Sequence, residues 1–263
     1  MSEQRGLQKV AFLDTNTLHY VGLYLGHAKA KNLFPFGPAG TQGEKDNAID
    51  MVNSLAETEE LKRRRKQGLQ TVDFLSTERV QVEYATFSEL ELLSGRARGK
   101  AIMSLAEEGV PERMWSRISE EEIRERISLE DMAEIKKEID RLTLLLEESG
   151  VAVRTYGGER TRDILELTKS INGLVYMEVM DSLIYANAIL ARSDYLVTSD
   201  TYFKATVNLI HDAKGERYEE INNRLKCLVS QFTLETTDEV ELPSAHSMTA
   251  DGHWKPQLPR SSD

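Results

Sequence analysis

Four carboxylates, Asp14, Glu89, Asp181 and Asp200, sit where one kind of local pattern gives way to another. Asp14 closes the apolar run 9–13, which reads as a short buried strand. Glu89 opens the helix that follows the alternating segment 79–85. Asp181 opens a stretch, 181–192, that is apolar on most of its circumference and therefore reads as a buried helix. Asp200 follows another short strand, 195–198. From Asp181 a helix of about twelve residues rises ~18 Å at 1.5 Å per residue. A turn at Ser193-Asp194 reverses the chain, and the strand with its exit returns ~15–18 Å at 3.3 Å per residue. Asp200 thereby comes back level with Asp181. In a parallel sheet Asp14 shares the carboxyl edge with Asp200, Glu89 lies near it, and ligands of open α/β sheets bind at that edge.

Carboxylates gathered in this way repel one another, at roughly 3 kcal/mol per pair for ~5 Å and an effective dielectric of ~20. Such a cluster stays charged only with a bound cation, and otherwise takes up protons. Hard oxygen donors without His or Cys suit Mg²⁺ or Mn²⁺. An ion of that kind lowers the pKa of a bound water and stabilises charge on a phosphate in transit, so phosphodiester hydrolysis is the chemistry expected. Taken singly, the acids have plainer readings. Asp14 and Asp200 fit as N-caps of the helices that follow them, and Asp181 and Glu89 as first-turn acids complementing a helix dipole.

The elements that must position these acids are strands alternating with helices, which predicts an α/β fold around a parallel sheet. After the strand at 9–13, helical spacing runs over 17–30. A Gly/Pro-rich loop spans 35–43, a helix over 47–67 ends in Lys62-Arg63-Arg64-Arg65-Lys66, and the strand 79–85 puts Val80, Val82 and Tyr84 opposite Gln81 and Glu83. Residues 107–150 change character. Ser119 with Glu122 and Ser128 with Asp131 resemble reciprocal helix caps, and Met132, Ile135, Ile139, Leu142 and Leu146 form one stripe at helical spacing. We read a charged helical hairpin inserted into a domain spanning 1–235, its stripe facing a core. Residues 151–153 read as a further strand and 160–170 as a further helix. From 236 large apolar residues thin out, and 236–263 is expected to be a disordered tail.

The chain has 263 residues and a formal net charge of −11. That acidity is concentrated in 107–150, with 14 Asp/Glu against 7 Lys/Arg, and in 233–263, with 6 against 2, which leaves the rest at zero. A neutral body that also holds an acidic cluster has cations to spare for phosphate elsewhere. There is no apolar run of membrane-spanning length, no secretory pattern at the start, and a single cysteine, Cys227, expected to be packed and inert. Cytoplasmic localisation and no membrane partner are expected.

Phe12-Leu13-Asp14-Thr15-Asn16 resembles the opening motif of PIN-domain nucleases, and Ser88-Glu89-Leu90-Glu91 resembles their second acidic motif. Asp181-Ser182-Leu183-Ile184-Tyr185-Ala186-Asn187-Ala188 is similar to the third. Tyr195-Leu196-Val197-Thr198-Ser199-Asp200, followed by the aromatic Phe203, is similar to the last. The resemblance covers about 1–106 and 151–212. It implies a three-layer α/β/α sandwich around a parallel sheet and magnesium-dependent cleavage, usually of RNA and less often of DNA. It makes Asp14, Glu89, Asp181 and Asp200 the metal ligands, with Asn16 and Ser199 as supporting polar groups. Apart from the resemblance, Arg96, Arg98 and Lys100, one to three turns beyond Glu89, are candidate phosphate contacts, with a solvated helix face as the alternative reading. The hairpin at 107–150 departs from the compact pattern and is a candidate surface for a second copy or another protein. The competing functional classes are a structure-specific DNA nuclease and a scaffold that binds nucleic acid or protein without cutting.

Overall fold

The computed structural model describes residues 9–30, 59–77, 80–115, 117, 119–148, 153–156, 158, 160–233 and 236–246. Strand β1 (Val10–Leu13) lies at the centre of a five-stranded, all-parallel sheet. Helix α1 (Thr15–Ala30) leaves it directly, α2 (Glu59–Thr77) follows, and β2 (Gln81–Ala85) pairs with one side of β1. The long α3 (Thr86–Glu107), the short α4 (Glu112–Trp115), α5 (Glu120–Arg126) and α6 (Leu129–Glu148) then connect to β3 (Val153–Tyr156), the neighbour of β2. The chain returns through α7 (Thr161–Leu174) and α8 (Val179–Leu190) to β4 (Tyr195–Val197), on the other side of β1. Helices α9 (Thr201–His211) and α10 (Glu216–Thr233), a 3-10 turn at Thr237–Glu239 and β5 (Ser244–His246) complete it. Strand order is therefore β3-β2-β1-β4-β5.

Alternation along β1 divides the core. Phe12 joins a cluster built from α7, α8, α9 and α10, whereas Ala11 and Leu13 join another with Leu18 and Val21 of α1, Leu69 of α2, Leu92 of α3 and Leu142 and Leu146 of α6. Apolar packing on both faces is why a parallel strand such as Val-Ala-Phe-Leu carries no polar side. The arrangement is compatible with a three-layer α/β/α sandwich. Glu83 of β2 shows the same rule from the other side. Alternation separates it from Val82 and Tyr84 as expected, yet it is fully buried, because that face is covered too. No helix among the described residues is long and apolar enough to cross a membrane.

Several expectations change here. Residues 107–148 form not a two-helix hairpin but the second half of a connection with three helices after α3. The caps at Ser119 and Ser128 form as expected, each serine donating to and accepting from the acid three residues on. The stripe of α6 is used within the chain: Ile135, Leu142 and Leu146 are buried, and Tyr84 of β2 meets Thr143 at 2.6 Å. The basic run 62–66 lies in the first half of α2 rather than at a helix end, since the helix continues to Thr77. Residues 47–58 and the loop 35–43 lie outside the described residues.

The expected disordered tail is ordered through His246, and residues 247–263 lie outside the described residues. Its few apolar groups, Val240, Leu242 and Ala245, join the core. The Asn208 side chain clamps β5 at both polar groups of Ala245, donating to its carbonyl at 2.9 Å and accepting from its N–H at 2.8 Å. Cys227 is exposed rather than packed. Leu225 and Val229, four apart, face inward on α10, and a residue midway between them points away.

Candidate metal centre

The sheet changes direction of travel between β1 and β4, the position at which open α/β folds bind ligands. Asp14 and Asp200 sit at the carboxyl ends of these two neighbouring strands. They are tied to each other through one residue. The Thr198 hydroxyl donates to Asp14 Oδ2 and accepts the Asp200 N–H at 3.0 Å. The backbone N–H of Asn16 donates to Asp14 Oδ1, as does that of Thr17 at 3.3 Å, so Asp14 also caps α1. Burial pushes the Asp14 carboxyl up to about 6, against the lowering effect of Thr198, Asn16 and Thr17, and with a further upward push from Glu91.

Asp200 is the N-cap of α9, its Oδ1 accepting the Phe203 N–H at 2.8 Å. The capping role and the site role thus coexist, because a carboxylate has lone pairs to spare after one cap. Asp181 lies in the first turn of α8, half-buried and without a hydrogen-bond donor among the described residues. Its carboxyl is pushed up to about 7 by burial and then by the charges of Asp200, Asp14, Glu178 and Glu91. Asp200 lies near enough to Asp181 for its charge to help raise the Asp181 carboxyl.

Glu89 is not brought to this group. It lies beside the Tyr84 hydroxyl, which burial raises to about 12, with Glu89 and Asp140 pushing it up further. Glu91 takes the fourth place, its Oε2 accepting from the Thr15 hydroxyl at 2.6 Å, one residue after Asp14. Two residues on a helix are about 200° apart, so only one of this pair can face the sheet edge. Asn16 contributes its backbone N–H and is exposed, while Ser199 lines a small crevice together with Thr198 and Thr17. Thr15, Glu91, Glu178 and Thr198 are the members sequence reasoning missed. Three of them lay inside quoted motifs, where neighbouring polar residues looked interchangeable.

The cations of α3 are engaged elsewhere. Arg96 meets Glu138 at 3.2 Å, Arg98 meets Glu120 at 3.6 Å, and Lys100 meets Asp131 at 2.5 Å and Glu134 at 3.1 Å. The acidic helices α5 and α6 are thus laid against the basic side of α3. The three cations expected to hold phosphate are each paired with an acid of α5 or α6.

Among the described residues no three His, Cys, Asp or Glu side chains form a ready-made ligand set. The donor chemistry nevertheless fits Mg²⁺ or Mn²⁺. The group is all carboxylate, and Asp181 carries a charge that its neighbours oppose and no donor offsets. Mg²⁺ is commonly held by only one or two carboxylates while keeping several waters. Comparison of the chain with models of protein families, with curated proteins and with solved structures finds no match.

Proposed function

We propose that this chain is a PIN-like, divalent-metal-dependent endoribonuclease that hydrolyses phosphodiester bonds at the carboxyl edge of β1 and β4. The observation that carries this reading is the coupling of Asp181 to Asp200, Asp14 and Glu91, which burial and like charge force together. Groups whose environments push them this far from their ordinary values concentrate at functional sites.

Asp181 and Asp200 would hold Mg²⁺ or Mn²⁺, with Asp14 and Glu91 beside them. When bound, the ion supplies a water acidic enough to be a nucleophile at neutral pH, and charge stabilisation for the phosphoryl oxygens. Thr198 fixes the orientation of Asp14 and ties it to the Asp200 backbone. Thr15 holds one oxygen of Glu91 and leaves the other to orient a water. RNA is preferred to DNA on the motif resemblance alone.

A second reading, a PIN-like scaffold that binds nucleic acid without cutting, is favoured by one specific observation. Both oxygens of Asp14 already accept hydrogen bonds from the protein. Incubation with mixed RNA, single-stranded DNA and branched DNA, in Mg²⁺, Mn²⁺ or EDTA, separates these readings. Metal-dependent RNA cleavage that is lost in Asp200→Asn supports the nuclease. Cleavage restricted to branched DNA would move the assignment to a structure-specific DNA nuclease. Absence of cleavage on every substrate, with no metal-induced melting shift, leaves the scaffold.

A further inference from the structure

Exposed apolar side chains accompany the carboxylates on three helices. Tyr202, 60% exposed, lies in the first turn of α9, two residues after Asp200. Val179, 68% exposed, opens α8 two residues before Asp181, and Tyr176, 79% exposed, precedes that helix by three residues. Leu90, 61% exposed, stands next to Glu91 near the start of α3. Of the nine large apolar side chains exposed among the described residues, these four lie within five residues of an acid of the group. Apolar residues scattered singly over a surface need no explanation, whereas several gathered around one site mark a place that binds something.

Resting on the nuclease reading for its chemistry, we propose that Tyr202 and Tyr176 select single-stranded substrate by stacking on the unpaired bases either side of the cleaved linkage, with Val179 and Leu90 as apolar support. The two tyrosines belong to the two elements whose carboxylates, Asp200 and Asp181, act on each other. Among the described residues neither ring meets another ring or a cation, so neither is already used for stacking. Phosphate contacts on α3 are met by acids of the chain itself, since Arg96, Arg98 and Lys100 are all paired. A base is uncharged and presents a π-face whatever its identity, so stacking holds a strand without further cations. A duplex is rejected because its paired bases hide those faces. A second copy of the chain docked edge to edge would set one group of carboxylates against another, and like charge opposes it. An anionic lipid surface meets the same repulsion.

The test is equilibrium binding of fluorescent oligonucleotides to the full chain in EDTA across a salt series. The probes are single-stranded RNA, single-stranded DNA, a duplex, and a strand of equal length whose sugars carry no bases. Cleavage in Mg²⁺ is measured in parallel. Wild type should hold the base-bearing single strands roughly tenfold more tightly than the duplex or the base-free strand. Tyr202→Ser and Tyr176→Ser should each weaken binding of base-bearing strands roughly tenfold. The salt slope should not change, because no phosphate contact is lost, and binding of the base-free strand should not respond. Tyr202→Phe and Tyr176→Phe keep a ring and should restore the affinity. In Mg²⁺ the serine variants should raise KM while kcat changes little, the signature of lost uniform binding. Met103→Ser, at an equally exposed apolar position about 18 Å along α3 from Glu91, is the surface control and should bind like wild type. No binding of base-bearing strands, equal affinity for the base-free strand, tighter binding of duplex, or serine variants that bind like wild type would each overturn the proposal. Base-dependent binding that is lost in the serine variants, without any cleavage, upholds the stacking role and removes the nuclease reading. Cleavage indifferent to both tyrosines does the reverse.

Discussion

Replacing Asp181 by asparagine should make the metal-free protein more stable above neutral pH. A rise of its carboxyl from 3.8 to about 7 penalises the charged form by about 4 kcal/mol. The side chain is half-exposed, and solvent screening reduces that to about 2 kcal/mol. The direction follows from linkage. A group whose folded-state pKa lies above its unfolded value contributes stability that is complete below the unfolded pKa, near 3.8, and lost as pH rises through about 7. Wild type should therefore lose stability across that window, while Asp181→Asn, neutral throughout, escapes this loss. Because Asp181 accepts no hydrogen bond from a described residue, the amide strands no donor. Thermal melts in EDTA should show little difference between the two proteins at pH 4, and an advantage for the variant of about 4–8 °C at pH 8. Millimolar Mg²⁺ should close the gap by stabilising wild type alone, through binding to the folded state. A variant melting at or below wild type at pH 8, or a difference that does not change with pH, would refute the argument that Asp181 is charged against its surroundings.

Three further outcomes test other parts of the structure. Glu91→Gln should lower metal-dependent cleavage about 10–100-fold, the scale of losing a group that orients a metal site, whereas Glu89→Gln should cleave like wild type. The reverse ranking would return Glu89 to the site. Asn208→Ala removes both hydrogen bonds that clamp Ala245 and should cost about 2 kcal/mol, with faster amide exchange at 244–246; unchanged exchange there would mean β5 is held by other contacts. Leu146→Ala, at a fully buried position on α6, should destabilise the whole chain by about 2–5 kcal/mol. A melt indistinguishable from wild type would show α6 to be peripheral.

The strand ends were legible in the sequence because chain length fixes them. A helix and a strand of known rise per residue must bring Asp200 back to Asp181, and the electrostatic coupling of the two carboxylates agrees. Orientation around a helix was not legible. Glu89 and Glu91 differ by half a turn, and the choice between them depends on α3 starting at Thr86 rather than near Ser88. The partners of Arg96, Arg98 and Lys100 were also out of reach, since Glu138, Glu120, Asp131 and Glu134 meet them only after α5 and α6 fold back on α3. The tail was misjudged for a related reason. Its own apolar content is low, and the hydrogen bonds that order β5 come from a side chain on α9.

The bond between Thr198 and Asp14 joins residues 184 positions apart. During synthesis the N-terminal part of the chain emerges first, at about 5–20 residues per second. A nascent chain that has reached only the end of α8 already displays Asp14, Glu91 and Asp181, yet lacks the strand, the threonine and the aspartate that close the site. Contacts this distant along the chain form late, because the intervening loop must be closed before they return any stability. The topology therefore works as a timer. The carboxylates are assembled as a set only after the chain through Asp200 has left the ribosome.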